Sequence, residues 1–198
     1  MKALCVYCSS SDRLDSKYYA VAESIGREIA RQGWTLVYGG GKTGLMGTVA
    51  RGTKQGGGRV VGVIPEFMKV RELAFDEADE LISVITMRER KTLMETRADA
   101  FLALPGGWGT LEEILEILTL AHLEVLHKPI VIFNQDGYYD DLVRLFERIV
   151  EEKFMHATIR GKYVVARTVE EIFPLITGWQ HQPGDAKWFQ TGAAKRDE

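Results

Sequence analysis

The stretch Ala100-Phe101-Leu102-Ala103-Leu104-Pro105-Gly106-Gly107-Trp108-Gly109-Thr110 constrains this chain more than any other. An apolar run of strand length meets a proline and a glycine-rich turn, and a long amphipathic segment follows. That order reads as a strand, a tight turn and a helix start. Glycine lets the backbone turn sharply and leaves no Cβ to hold a ligand away. Thr110 suits the start of the helix, where its hydroxyl can cap free amides. A helix N-terminus carries about half a positive charge and N–H groups without internal partners, which makes it a site for phosphate or another anion. Glu112 and Glu113 fall in the same first turn. A carboxylate there repels an anion unless it faces a different part of the ligand. The stretch therefore reads as a site with two ends, one for phosphate and one for chemistry.

The rest of the chain repeats the strand–helix alternation. Strands are expected at 2–8, 35–38, 59–64, 81–85, 100–104, 129–133 and 163–166. Helices are expected over about 15 residues after Asp12, then at about 44–55, 87–97, 109–126, 139–152 and 169–176, with a polar connection at 65–79. Tyr18, Val21, Ala22, Ile25 and Ile29 show the helical spacing, and Gly33 ends that helix. Alternation of this kind means βαβ units and a parallel sheet buried on both faces. Right-handed crossovers then predict a doubly wound α/β fold, a mostly parallel sheet of about seven strands in three α/β/α layers. A chain of 198 residues, 45% of them hydrophobic, supports one core, expected over 1–178. Residues 179–198 read as a loosely held polar tail with Trp179, Trp188 and Phe189 as docking points.

A formal net charge of −3 argues against a nucleic-acid surface. No apolar run approaches the ~20 residues that span a bilayer. The N-terminus lacks the apolar core of a signal peptide, so no membrane association and a cytoplasmic location are expected. Cys5 and Cys8 are three apart in a strand, point to opposite faces and read as structural rather than as a redox or metal pair.

Gly39-x-Gly41-x-x-Gly44 matches the dinucleotide pattern, but that reading needs an acidic residue ~20 positions on, at the end of the next strand. Positions 59–65 hold none. Gly41-Lys42-Thr43 looks like the end of a P-loop, yet position 36 is Leu where that loop needs glycine. A glycine-rich wall of a nucleotide pocket remains, as does a purely structural turn. Arg90, Met94 and Arg97 share one face of a helix that begins just past a strand's C-terminal end, where parallel sheets bind ligands. The segment Leu111–Leu126 is apolar more than half way round, which suggests a second packing partner, another subunit. Glu113 and Glu116 sit on one face of it. His122 and His127, five apart, lack metal-pair spacing and read as structural.

With Pro105-Gly106-Gly107-Trp108-Gly109-Thr110-Leu111-Glu112-Glu113 in view, the chain resembles the LONELY GUY family, cytokinin riboside 5′-monophosphate phosphoribohydrolases long mislabelled as lysine decarboxylases. The family pattern P-G-G-x-G-T-x-x-E ends on Glu113. Its R-K pair falls on Arg90 and Lys91, an acidic position on Glu72, and a threonine later on the motif helix on Thr119. The Gly39–Gly47 loop also looks like the family's, with Gly40, Gly41, Gly44 and Met46 as pocket wall. Trp108 stands where many members carry Tyr, and Lys69-Val70 replaces a usual proline neighbourhood.

The resemblance implies a modified Rossmann sheet, a homodimer with sites near the subunit interface, and no metal or redox cofactor. It implies cleavage of the N-glycosidic bond between ribose 5-phosphate and adenine or an N6-modified adenine, the substrate being AMP or N6-prenyl-AMP. The expected catalytic residues are Glu113 and Arg90. Gly106, Gly107, Trp108, Gly109, Thr110, Leu111 and Glu112 bind substrate with them, and Lys91, Glu72 and Thr119 assist. Within that stretch Glu112 is expected to be a solvated partner of the helix dipole. Two alternatives stay open: a general nucleoside-monophosphate hydrolase, and a non-catalytic carrier of a phosphorylated ligand. Lysine decarboxylation is discounted, because no lysine sits in an evident cofactor-linking context.

Overall fold

A computed structural model describes residues 2–69 and 74–184 of the chain. The strands are β1 (Ala3–Tyr7), β2 (Thr35–Tyr38), β3 (Val60–Pro65), β4 (Glu80–Val84), β5 (Ala100–Ala103), β6 (Ile130–Phe133) and β7 (Val164–Ala166). The helices are α1 (Ser16–Arg31), α2 (Gly44–Gln55), the short α3 (Glu66–Lys69), α4 (Met87–Arg97), α5 (Trp108–His122), α6 (Asp140–Glu151) and α7 (Val169–Thr177). All strand pairings are parallel, in the order β4-β3-β2-β1-β5-β6-β7. The sheet is thus wholly rather than mostly parallel, which follows from every crossover carrying a helix.

Period-two alternation divides the strands between two cores. Leu4, Val6, Leu36, Tyr38 and Leu102 face α1, α2 and α7. Cys5, Tyr7, Val37, Val63 and Phe101 face α4 and α5, while Ile132 meets α6. Cys5 and Cys8 are free and lie in opposite cores, as their spacing predicts. The connection after β3 is not merely polar. Phe75 is buried, its N–H donates to the Gly40 carbonyl at 2.9 Å, and Ala74 bridges Gly41.

The strand order matters most at one place. The chain steps outward from β1 to β4, then returns to lay β5 on the other side of β1. Open α/β sheets bind ligands beyond the strand C-termini at such a reversal. Here the segments leaving β1 and β5 are Cys8–Asp12 and Leu104–Thr110. They are tied together by Leu104 N–H to the Tyr7 carbonyl at 2.9 Å and Ser9 N–H to the Pro105 carbonyl at 3.3 Å.

Candidate active site

The turn after β5 is held from behind. The Tyr139 hydroxyl donates to the Leu104 carbonyl at 2.7 Å and the Tyr138 hydroxyl to the Gly106 carbonyl at 2.8 Å. Helix α5 then begins earlier than expected, at Trp108, with Gly107 in extended conformation as its N-cap. Thr110 is not the cap. It lies one turn inside, buried, packed so tightly on Gly106 that a Cβ there would meet its hydroxyl. Among the described residues no side chain caps the helix, and its first hydrogen bond runs from Leu111 N–H to the Gly107 carbonyl at 3.0 Å. The amides of Trp108, Gly109 and Thr110 precede that bond and have no helical acceptor.

Helix α2 reaches the same cleft and is built the opposite way. Gly44, at φ +57°, donates its N–H to Asp12 Oδ1 at 2.7 Å. Leu45 and Met46 N–H both donate to the Ser9 carbonyl, at 2.9 and 3.3 Å. The segment leaving β1 therefore fills this helix's N-terminus from within the protein.

Arg90 comes from the first turn of α4, which is set by a capping box between Thr86 and Glu89. Its Nη1 donates to Glu113 Oε1 at 2.9 Å and its Nε to the Val63 carbonyl at 3.2 Å. Both side chains of this pair are only 5% exposed. Gly39 makes the pose possible: a Cβ there would lie 1.7 Å from the guanidinium. Burial raises the Glu113 carboxyl above the ordinary glutamate value, and the Arg90 charge only partly opposes it. Glu113 is thus a fixed carboxylate, one turn behind a row of open amides.

These groups line a cleft of about 660 Å³, within the range of small-ligand sites. Of the expected residues, Gly41, Met46, Arg90, Gly107, Trp108, Gly109, Thr110, Glu112 and Glu113 line it together. Others stand elsewhere. Gly40 and Gly44 shape the backbone behind the wall, Gly106 is engaged by Tyr138, and Leu111 packs beside Ile132 and Tyr139. Lys91 is not among the lining residues. It forms ion pairs with Glu112 and with Glu116, the latter at 2.9 Å. Desolvation works to lower its pKa, but the two carboxylates prevail and raise it. Glu112 is accordingly an ion-paired residue, not a free dipole partner, and Glu116 is exposed where Glu113 is buried. Arg97 turns outward to Glu80 at 2.7 Å, away from buried Arg90 and Met94. Glu72 lies outside the described residues.

Thr119 is exposed, and its hydroxyl returns to the Leu115 carbonyl at 2.7 Å. It lines a separate apolar groove with Leu115, Leu118, Phe146 and Ile149. Six residues past Glu113 on a helix is about 9 Å along the axis and on a different face, so one chain does not bring the two together.

The cleft also holds Cys8, Ser9, Ser10, Ser11 and Asp12 after β1 and Met68, to which the sequence reading gave no site role, together with Met87 and with Gly39 and Thr43 of the glycine-rich loop. The turn after β1 was visible as a polar run, but nothing in the sequence placed β1 beside β5. Cys8 is 2% exposed, and burial drives its thiol pKa far up.

Comparison with known proteins gives the family of the chain. The family described as "Possible lysine decarboxylase" matches residues 46–176. The probable cytokinin riboside 5′-monophosphate phosphoribohydrolase LOGL5 of Oryza sativa subsp. japonica is 41% identical over 185 residues, covering 93% of this chain and 75% of that protein. The cytokinin riboside 5′-monophosphate phosphoribohydrolase LOG3 of Arabidopsis thaliana is 42% identical over 171 residues, 86% of this chain and 80% of that protein. Among solved structures, the molybdenum cofactor carrier protein of Chlamydomonas reinhardtii superposes with a TM-score of 0.70 at 21% identity, over 90% of this chain and 98% of that one. The molybdenum cofactor binding protein of Rippkaea orientalis does so at 0.69 and 21%, over 90% and 97%. At that identity the likeness speaks for the fold alone. Sequence identity, the matched family and the P-G-G-x-G-T-x-x-E stretch together place this chain in the LONELY GUY family.

Proposed function

We propose that the cleft hydrolyses the N-glycosidic bond of adenosine 5′-monophosphate or its N6-modified forms, releasing the free base and ribose 5-phosphate. The observation that carries this reading is the buried Arg90–Glu113 pair behind the uncapped start of α5. The amides of Gly107, Trp108, Gly109 and Thr110 hold the 5′-phosphate on the positive end of the helix. Glu113 then faces the ribose. As the C1′–N9 bond breaks, its electron pair leaves with the base and positive charge builds on the sugar, which the fixed carboxylate stabilises. Water adds its oxygen to C1′, and one of its protons passes to the departing base, with Glu113 orienting the water. Arg90 pairs with Glu113 and partly offsets the burial that disfavours its charge, and it neighbours the leaving group. The rim methionines Met46, Met68 and Met87, with the exposed ring of Trp108, offer an adaptable apolar surface for a substituent on N6. Glu72 is proposed to bind the base or ribose.

The described residues do not suit lysine decarboxylation through a pyridoxal cofactor. Among the described residues no lysine lines the cleft to form the required imine.

The chain is further proposed to act as a homodimer, with one nucleotide-binding unit over residues 1–178. Leu115 on α5, beside Thr119 in the groove, and Leu123 just past the end of the helix are exposed. A second copy covering this face would bury them and bring Thr119 toward the neighbouring cleft. Light scattering reads the mass directly, and a monomer at working concentration would refute this part.

The main test is incubation with AMP and with isopentenyl-AMP, followed by chromatography for free base and ribose 5-phosphate. Faster turnover of the prenylated nucleotide supports the cytokinin reading. Equal rates support a general nucleoside-monophosphate hydrolase. Recovery of both nucleotides intact refutes hydrolysis and favours a carrier.

A further inference from the structure

Far from the cleft, the turn that follows α5 meets the segment that follows α7. Glu124 adopts the left-handed conformation, at φ +57°, which favours glycine over a side chain. Its carboxylate sits at the centre of a small polar cluster. Oε1 accepts from Lys162 Nζ and from Gly184 N–H, both at 2.5 Å. Oε2 faces His127 Nε2 at 3.2 Å and His181 Nε2 at 3.0 Å. The Lys162 side chain is itself only 4% exposed and also donates to the Gln182 carbonyl at 2.7 Å.

This division of labour is distinctive. One oxygen is fixed by two donors from the protein, and the other is aimed at two imidazole nitrogens. We propose that Glu124, His127 and His181 form a site for a divalent transition-metal ion of the zinc class, which fastens the segment after α7 to the end of α5.

Three observations carry the proposal. Two imidazoles and one carboxylate are a known donor set for zinc, which leaves a fourth position for water. The spacing fits as well. Tetrahedral zinc with bonds of ~2.0–2.1 Å keeps neighbouring donor atoms about 3.3 Å apart. The two carboxylate–imidazole distances lie close to that value, and all three donor atoms fall within 4.8 Å of one another. The donors on Oε1 orient the ligating carboxylate, the arrangement that supports first ligands in metal sites. Lys162 offsets the carboxylate charge from the opposite side, without occupying the place of the ion.

Without metal, both imidazoles must carry a proton on Nε2 to satisfy the same oxygen, and their rings stand 4.2 Å apart. A metal ion replaces those two protons, so the competing state is a hydrogen-bonded clasp that needs no ion. The site is separate from the cleft, so its failure leaves the proposed hydrolysis untouched, and the reverse holds too.

The test uses the full chain without an affinity tag, stripped with EDTA and dialysed. Zn²⁺ is titrated calorimetrically, and Co²⁺ is added separately to read its visible absorption. The expected result is one equivalent of Zn²⁺ and the intense d–d bands of tetrahedral cobalt. The double variant His127→Ala/His181→Ala should weaken binding by more than about tenfold. The pair His122→Ala/His156→Ala removes the chain's other two histidines and should leave binding intact. Absence of stoichiometric Zn²⁺ binding in the parent overturns the proposal. So does unchanged affinity in the His127/His181 variant with circular dichroism like the parent's. As a second readout, Zn²⁺ should slow limited proteolysis after residue 177 in the parent but not in the double variant.

Discussion

Two helices point their N-termini into one cleft, and each follows a glycine-rich turn, yet they are built for opposite ends. The start of α2 is closed by the protein itself, through Asp12 and the Ser9 carbonyl. The start of α5 has an extended glycine as its cap and, among the described residues, no side chain on its amides. The glycines differ in the same way. Gly44 permits a backbone turn that seals a helix, while Gly107 and Gly109 have open space where a Cβ would be. Glycine richness therefore does not mark a phosphate site by itself. What marks it is whether the amides behind the glycines already have acceptors. The closed end also serves the open one, because Gly39, just before α2, leaves the room that Arg90 occupies beside Glu113.

The largest expected effect comes from the chemistry behind the open end. Glu113→Gln should lower turnover by ~10²–10⁴-fold while circular dichroism stays like the parent's; near-full activity would end the assignment. The pH profile sharpens the same point. A buried carboxyl with a raised pKa must lose its proton to work, so activity should fall with acidity through an apparent pKa above the ordinary 4.5. An acid limb at or below 4.5 would contradict a working Glu113.

Gly39→Ala should come next. The new methyl displaces the guanidinium from its place between Glu113 and the Val63 carbonyl, and misplacement by about 1 Å can cost ~10²-fold in kcat/KM. Unchanged kinetics would show that Arg90 need not hold that pose.

Trp108→Pro probes the open helix end itself. Proline suits the first helical position, and Gly107 before it is already extended, so the change removes one amide at little structural cost. Measured against Trp108→Ala, KM for the nucleotide should rise by roughly 10-fold or more, as expected for a hydrogen bond of ~1.5–3 kcal/mol to a charged group. Equal KM values would move the phosphate elsewhere.

Asp12→Ala, at the closed end, should have the smallest effect. Loss of a helix-end acceptor costs ~0.5–2 kcal/mol, and a chain of this size then melts lower by ~2–4 °C per kcal/mol. Turnover should suffer far less than in Trp108→Pro. A collapse in activity would mean that the two helix ends do not divide their work as described.

Much of the fold was legible because strands buried on both faces leave unbroken apolar runs, such as Val60–Ile64 and Ile130–Phe133, and because amphipathic stretches separate them. The buried pair was half legible. The P-G-G-x-G-T-x-x-E stretch singled out Glu113, and the helix past a strand's C-terminal end together with the resemblance pointed to Arg90. That they touch depended on α4 and α5 packing on one face of the sheet. Strand order was not legible, so the turn after β1, directly across from the motif, was read only as a polar link. Thr110 was read as the cap because its hydroxyl can accept from free amides, whereas here the extended Gly107 takes the role. Thr119 and Lys91 show the limit of spacing within a motif. Each lies near the right residues in sequence, but helix phase turns Thr119 to another groove, and Glu112 and Glu116 capture Lys91.

Cys8 carries a further consequence. It is the one thiol at the floor of the described cleft, the position that an electrophilic inhibitor would be designed to reach. Nucleophilic attack needs the thiolate, and burial against the Glu113 charge suppresses that form. The Cys8 thiol should therefore resist alkylating agents and oxidants. A ligand meant to stay bound would gain more from the helix amides and the methionine rim than from a covalent bond to sulfur.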